Sequence, residues 1–218
     1  MEHRQALSFS HPLVWRELIK RMRTYIYGML GTRTKENGQA YQQNIERVEQ
    51  LLNDKTEYFV PKGSYCFSEE GNVCHRHAEE AGILAEVVVA FGVKDYSSKD
   101  VLDQYLMHLI QISSMNAVRD YLSEQWVVQL YAYRMGTASG KISPFFGPGL
   151  FDEPLDTMER MLSLTGTSVV EMAENGKYLK PQMAFVGVLY ITEREVIVEQ
   201  PCKHCKAKIG CEYCMKRR

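Results

Sequence analysis

Residues 82–93 read GILAEVVVAFGV. Within them, Glu86 to Phe91 form a short apolar run bounded by Gly82 and Gly92. Val87, Val88 and Val89 are β-branched, and the run is continuous rather than alternating. That pattern predicts a strand covered on both faces. The cover must come from the flanking sequence, and helical periodicity is what the flanks supply.

On the amino-terminal side, Leu13, Leu18, Ile19, Met22, Ile26, Met29 and Leu30 recur at helical spacing between Pro12 and Gly31. Ser10 stands where an N-cap belongs, and Gly31 is a stop signal. Arg16, Lys20, Arg21 and Arg23 make one side of this helix basic, which reads as a solvated face. A second amphipathic helix is predicted in TKENGQAYQQNIERVEQLLNDK, with Ile45, Val48, Leu51 and Leu52 as its buried stripe. The segment TEYFVPKGSYCFSEEGNVCHRH then alternates like strands, with turn signals at Pro61–Gly63 and Glu70–Asn72. It carries Cys66, Cys74, His75 and His77 in a spacing that matches no common zinc finger. These residues read as strand positions and partly buried thiols.

On the carboxyl side, a long helical stretch is predicted from about Ser98 to Met135, divided near Ser113, Ser114 and Asn116. The run GTASGKISPFFGPGLFDEPLD is rich in glycine and proline and reads as a long loop, a feature often tied to function. LDTMERMLSLTG predicts a short helix ending near Gly166. The following residues read as strands joined at the Glu174–Gly176 turn, with Pro181 in the connection or at a strand edge. Helices, then strand and helix, then strands, indicate an α+β domain over residues 1–200, with a helical part over about 1–55.

The chain has 218 residues, a net charge of −1 and a pI near 6.6. No global field draws it to nucleic acid or membrane, and no stretch approaches the ~18 apolar residues of a membrane span. The start has no secretory pattern, so a reducing, cytoplasmic setting is expected. There, cysteines serve as metal ligands or core thiols more often than as disulfides. Hydrolase chemistry has little support, because no G-x-S-x-G, H-E-x-x-H or phosphate loop is present. CHRH with Glu69 and Glu70 is the sole local acid–base candidate.

The last residues, 201–218, read PCKHCKAKIGCEYCMKRR and hold four of the six cysteines. Cys202, Cys205, Cys211 and Cys214 form two C-x2-C pairs five residues apart. Four thiolates converging on one point suit Zn2+ or a [4Fe-4S] cluster. The x5 separation is shorter than in zinc ribbons, and Gly210 would ease the compact wrap. Lys203, Lys206, Lys208, Lys216, Arg217 and Arg218 offset the charge of a four-thiolate centre and keep its sulfurs ionised. A fully ligated site is structural, or electron-carrying if it holds iron.

Three further segments resemble a known family. GPGLFDEPLDTMERMLSL, ENGKYLKPQMAFVGVLYI and AEVVVAFGV with the later ISSMNAVRDYL resemble, in order and spacing, the reactivation domain of cobalamin-dependent methionine synthase. Stand-alone members end in a cysteine-rich segment. The resemblance covers about residues 80–218. It implies an α+β fold around a curved antiparallel β-sheet flanked by helices, with a small C-terminal cysteine-rich metal-binding segment.

It also implies S-adenosylmethionine or cobalamin as ligand, and a corrinoid protein or methyltransferase as partner. An electron donor protein would complete the set. By position, Pro148, Gly149, Asp152 and Pro154 match the family's ligand loop, with Gly147 beside them, and Pro181 and Gly187 match the later segment. Phe145 stands where the family has an arginine, and Leu150 where it has a tyrosine. Ala184 and Val186 replace two serines. Phe145, Phe146, Leu150 and Phe151 would form either an apolar rim for a corrin ring or partner, or loop core.

Two functions follow from these readings. One is an accessory role in corrinoid metabolism, supporting reductive reactivation or methyl transfer. If the chain is an enzyme, methyl transfer is the implied activity. The alternative is a non-enzymatic metal-binding adaptor that uses the fold as an interaction scaffold.

Overall fold

The computed structural model describes residues 3–198, apart from 10, 34–37, 70, 74, 138, 149–153, 175 and 177. Its centre is a five-stranded, wholly antiparallel sheet. The strands are β1 (His3–Leu7), β2 (Lys62–Ser68), β3 (Ile83–Gly92), β4 (Lys141–Ile142) and β7 (Ala184–Thr192). Their order across the sheet is β1-β2-β3-β7-β4. A separate hairpin pairs β5 (Glu171–Met172) with β6 (Leu179–Lys180).

Helices cover both faces, as the valine run requires. Val87, Val89 and Phe91 point into one core, together with Leu189 and Ile191 of β7. Over this face lie α1 (Pro12–Arg33), α2 (Gly38–Asp54), α4 (Val101–Tyr121) and α5 (Val127–Met135). Val88 and Ala90 point into a second core with Val186, Val188 and Tyr190. That core is closed by α3 (Arg76–Ala81) and α6 (Thr157–Thr165). Each fully buried Val or Phe contributes about 1.5–3 kcal/mol of transfer free energy, so the β3 run anchors both layers at once.

The helical forecasts hold with adjusted ends. On α1, Leu18, Met22, Ile26 and Leu30 are buried at four-residue intervals, the stripe a helix packed on one face needs. Two of the four residues on its basic side are paired. Arg21 pairs with Glu17 and Glu124, and Arg23 makes two hydrogen bonds to Glu49. On α2, Val48, Leu51 and Leu52 are buried, and Arg47 grips Asp103 of α4 with two 2.6 Å hydrogen bonds. Asp100 caps α4 by accepting from the N–H groups of Leu102 and Asp103 at 2.8 and 3.1 Å. Gly166 ends α6 in the left-handed conformation, at φ 58°. Among the described residues, no helix is long and apolar enough to cross a membrane.

Several expectations are corrected. The N-terminal part is not wholly helical, because His3–Leu7 is the edge strand β1, paired to β2. Gly63 is not in a turn but inside β2, and the strand-like segment's last residues, Arg76 and His77, begin the helix Arg76–Ala81. The long helical stretch does not divide at Ser113–Asn116. It is interrupted at Leu122–Trp126 by a wider, π-type turn between α4 and α5. Ser113 and Ser114 are buried inside α4.

Candidate functional site

The glycine- and proline-rich loop is laid against the outer edge of β7. Lys141 and Ile142 pair with Thr192 and Ile191. The Ser143 N–H donates to the Tyr190 carbonyl at 2.9 Å, and the Tyr190 N–H donates to Ser143 Oγ at 2.9 Å. Phe146 and Val188 exchange both backbone hydrogen bonds, at 3.0 and 2.7 Å. The loop runs antiparallel to β7. Gly147 and Pro148 therefore continue past Gly187 toward the start of that strand.

Gly187 is the point of closest approach. A Cβ there would lie 2.7 Å from the Phe146 carbonyl oxygen and 2.9 Å from the Phe185 ring. The structure thus brings Phe145, Gly147 and Gly187 into one neighbourhood. Pro181 is elsewhere, preceded by a cis peptide bond and packed against Gly92 at the end of β3. Gly149, Leu150, Phe151 and Asp152 lie outside the described residues, as do Cys74 and the four C-terminal cysteines.

Of the apolar rim, the two described phenylalanines are core. Phe145 is 6% exposed and its ring meets Phe185 edge-on at 5.2 Å. Phe146 turns to the opposite face, against the His75 and Tyr190 rings at 4.0 and 5.6 Å. A strand-like stretch must send successive side chains to opposite faces, so the pair cannot form one rim. Arg119 of α4 places its guanidinium over the Phe185 ring at 5.1 Å. Phe185 thus contacts both Phe145 and the Arg119 guanidinium.

A buried carboxylate organises the other face. Glu86 sits mid-strand on β3, 1% exposed, opposite Ser68 on one side and Tyr190 on the other. It accepts from the backbone N–H groups of Asn72 and Val73, each at 2.8 Å. The Tyr190 hydroxyl donates to the Val73 carbonyl. The turn that leads into His75 is thus clamped from β3 and β7. Burial pushes the Glu86 carboxyl above its ordinary value of 4.5, and the two backbone donors oppose that shift only in part.

A raised folded value means that the protonated form suits the fold better. The Glu86 contribution is then full below pH 4.5 and is lost as pH rises through the folded value. Expected result: the stability difference between wild type and Glu86→Gln shifts against wild type as pH rises above 4.5. Urea titrations across pH 4 to 7.5 measure it, and parallel curves for the two proteins would contradict it.

A cleft of about 820 Å3 opens at the sheet end that carries Gly92 and Pro181. Lys62, Lys94 and Lys180 line it together with Glu57, Asp95 and Glu171. Its walls are tied by α4. The buried Gln111 amide donates to the carbonyls of Tyr58 and Lys94, both at 2.9 Å. Ser114 Oγ donates to the Phe59 carbonyl at 2.6 Å. Asp95 accepts from the Gln182 N–H at 3.0 Å, and the Val93 N–H donates to the Met183 carbonyl at 3.0 Å.

Sequence reasoning did not find Arg119, Gln111 or Glu86. The one available signal was polar residues inside otherwise apolar runs. No group of three or more metal-ligating side chains occurs among the described residues. No known protein family matches the sequence, and no curated protein is significantly similar to it.

Proposed function

We infer that the chain is an accessory protein of corrinoid metabolism. It binds a corrinoid or a corrinoid protein and supports its reductive reactivation or methyl transfer; S-adenosylmethionine is the methyl donor that the family resemblance implies. The observation that carries the reading is the seating of the Phe145–Pro148 segment on β7 at Gly187. The two stretches that resemble the family's ligand segments lie far apart in sequence and meet there. Glycine at that contact lets backbone approach backbone. The Arg119 guanidinium over the Phe185 ring adds support, since it brings a cation to the ring that Phe145 packs against. Cobalt and a sulfonium would supply the bond-making chemistry when bound. The chain's part is to hold and orient them.

Titration of the purified protein with S-adenosylmethionine and with cob(II)alamin tests this reading. Calorimetry and the visible spectrum are the readouts. A saturable response to at least one is expected, and silence toward both removes the reading.

Cys202, Cys205, Cys211 and Cys214 would hold one Zn2+ or one [4Fe-4S] cluster. The support is their spacing and the surrounding cations. Elemental analysis of protein purified without oxygen or chelator should find about one site per chain, as one four-sulfur set allows. Cys205→Ser or Cys211→Ser should lower that content strongly. Cys66→Ser should not, because Cys66 is buried in β2 within the second core. Equal loss in all three would show that the site has been drawn too small. Bound metal together with silence toward both ligands would favour the adaptor.

A further inference from the structure

We propose that the cleft at the Gly92–Pro181 end of the sheet is a binding site for a small zwitterion of the amino-acid type. This goes beyond the corrinoid reading and does not rest on it.

The volume of about 820 Å3 lies within the range of small-molecule sites. The walls are held rather than loose. Gln111, 6% exposed, spends its amide on the main chain of two separate wall segments. Ser114 holds the first of these again at Phe59, and Asp95 ties the second to a third at Gln182. Three wall segments and α4 thus meet at defined positions, the condition for a site with fixed geometry.

The charges decide the ligand class. Three ammonium groups face three carboxylates, so the cleft has no net field to select a bare anion or a bare cation. The charges are also unequally engaged. Lys94 lies 4.0 Å from Glu57 and over the Tyr58 ring at 4.7 Å. Asp95 holds the Gln182 N–H. Lys62, Lys180 and Glu171 make no ion pair among the described residues, although Glu171 and Lys180 stand directly opposite each other in the β5–β6 pair. Two cations and one anion are therefore available to a ligand. A carboxylate placed between Lys62 and Lys180, with its ammonium group toward Glu171, satisfies all three. An inorganic anion would leave Glu171 opposed, and a diamine would leave both lysines opposed.

The test is an amide-correlation NMR titration of the full chain with the twenty standard amino acids, pooled and then singly. Inorganic phosphate and 1,4-diaminobutane serve as single-charge controls. At least one amino acid should shift the Gly92, Val93, Asp95 and Lys180 signals saturably. The controls should shift them far less at the same concentration. Lys62→Ala and Lys180→Ala should each weaken binding about tenfold, the scale of one charge-assisted contact, and Glu171→Gln should do likewise. All three side chains are exposed, so the remaining spectrum should be unchanged and would report any loss of fold. The proposal is overturned if no amino acid shifts these signals. It is equally overturned if phosphate binds as tightly, or if the three variants bind like wild type. Cob(II)alamin and S-adenosylmethionine titrations are separate measurements, so either reading can fail alone.

Discussion

Gly63→Ala is expected to destroy the native sheet. A Cβ at this position would lie 2.1 Å from the Ala90 carbonyl oxygen and 2.7 Å from Phe91 Cα. Both obstacles involve main chain, so no side-chain rotation relieves the clash. Ordinary overpacking costs about 1–3 kcal/mol when side chains can yield, and here the backbone of β3 would have to move. β2 pairs with β1 on one side and β3 on the other, so its displacement uncouples two strands. A loss above about 3 kcal/mol is expected from a native stability that is typically 5–15 kcal/mol. Urea unfolding measures it. Gly28→Ala on α1 is the control, since nothing lies within 4 Å of its added Cβ. That change should be neutral or stabilising by up to about 1 kcal/mol. Loss of less than about 1 kcal/mol for Gly63→Ala, inside the spread of ordinary mutations, would refute the packing described for β2 and β3.

Gly187→Ala is expected to leave the body of the fold intact and unseat the loop. The added Cβ would meet the Phe146 carbonyl oxygen at 2.7 Å and the Phe185 ring at 2.9 Å. Phe146 belongs to an edge segment held to β7 by a few hydrogen bonds, so the loop yields before the sheet does. The expected cost is about 1–3 kcal/mol, confined to this edge. Limited proteolysis should cut more than tenfold faster between Gly136 and Pro154, with little change in far-ultraviolet circular dichroism. Any response to S-adenosylmethionine or cob(II)alamin should weaken in parallel. Unchanged proteolysis would mean that the loop is held by something other than this contact.

The elements legible in the sequence share one property, a repeated local pattern. The β3 valines, the four-residue stripe of α1, the stripe of α2 and the glycine after α6 each report their own conformation through near neighbours. The elements that escaped lack such a pattern. β1 is a polar pentapeptide with only Leu7 buried, because an edge strand needs a partner more than an apolar face. α3 is six residues long, less than two turns and too short for a period. β4 has two residues, and its partner residues on β7 lie about fifty positions away in the chain.

Ser113 and Ser114 misled for a related reason. Serine competes with helical hydrogen bonding when its hydroxyl lacks another partner. Ser114 has one in the Phe59 carbonyl, fifty-five residues earlier, whereas the buried Ser113 hydroxyl has none among the described residues, and α4 passes through both. The irregularity at Leu122–Trp126 contains neither glycine nor proline, so no breaker announced it. Of the candidate site, the sequence pointed to the loop and to Gly187, which meet at Phe146. It gave no indication that Arg119 would approach Phe185 or that Gln111 would tie the cleft walls.

Residue order alone was enough to specify an α+β chain, its main helices, its central strand and the spacing of its C-terminal cysteines, because these depend on patterns within a few positions. Packing settled which face each phenylalanine took, which carbonyl each buried hydroxyl or amide reached, and how six charged side chains came to line one cleft. Those outcomes depend on partners tens of residues apart, and a hydrogen bond or ion pair has no preference for sequence distance, only for geometry and the loss of water around it.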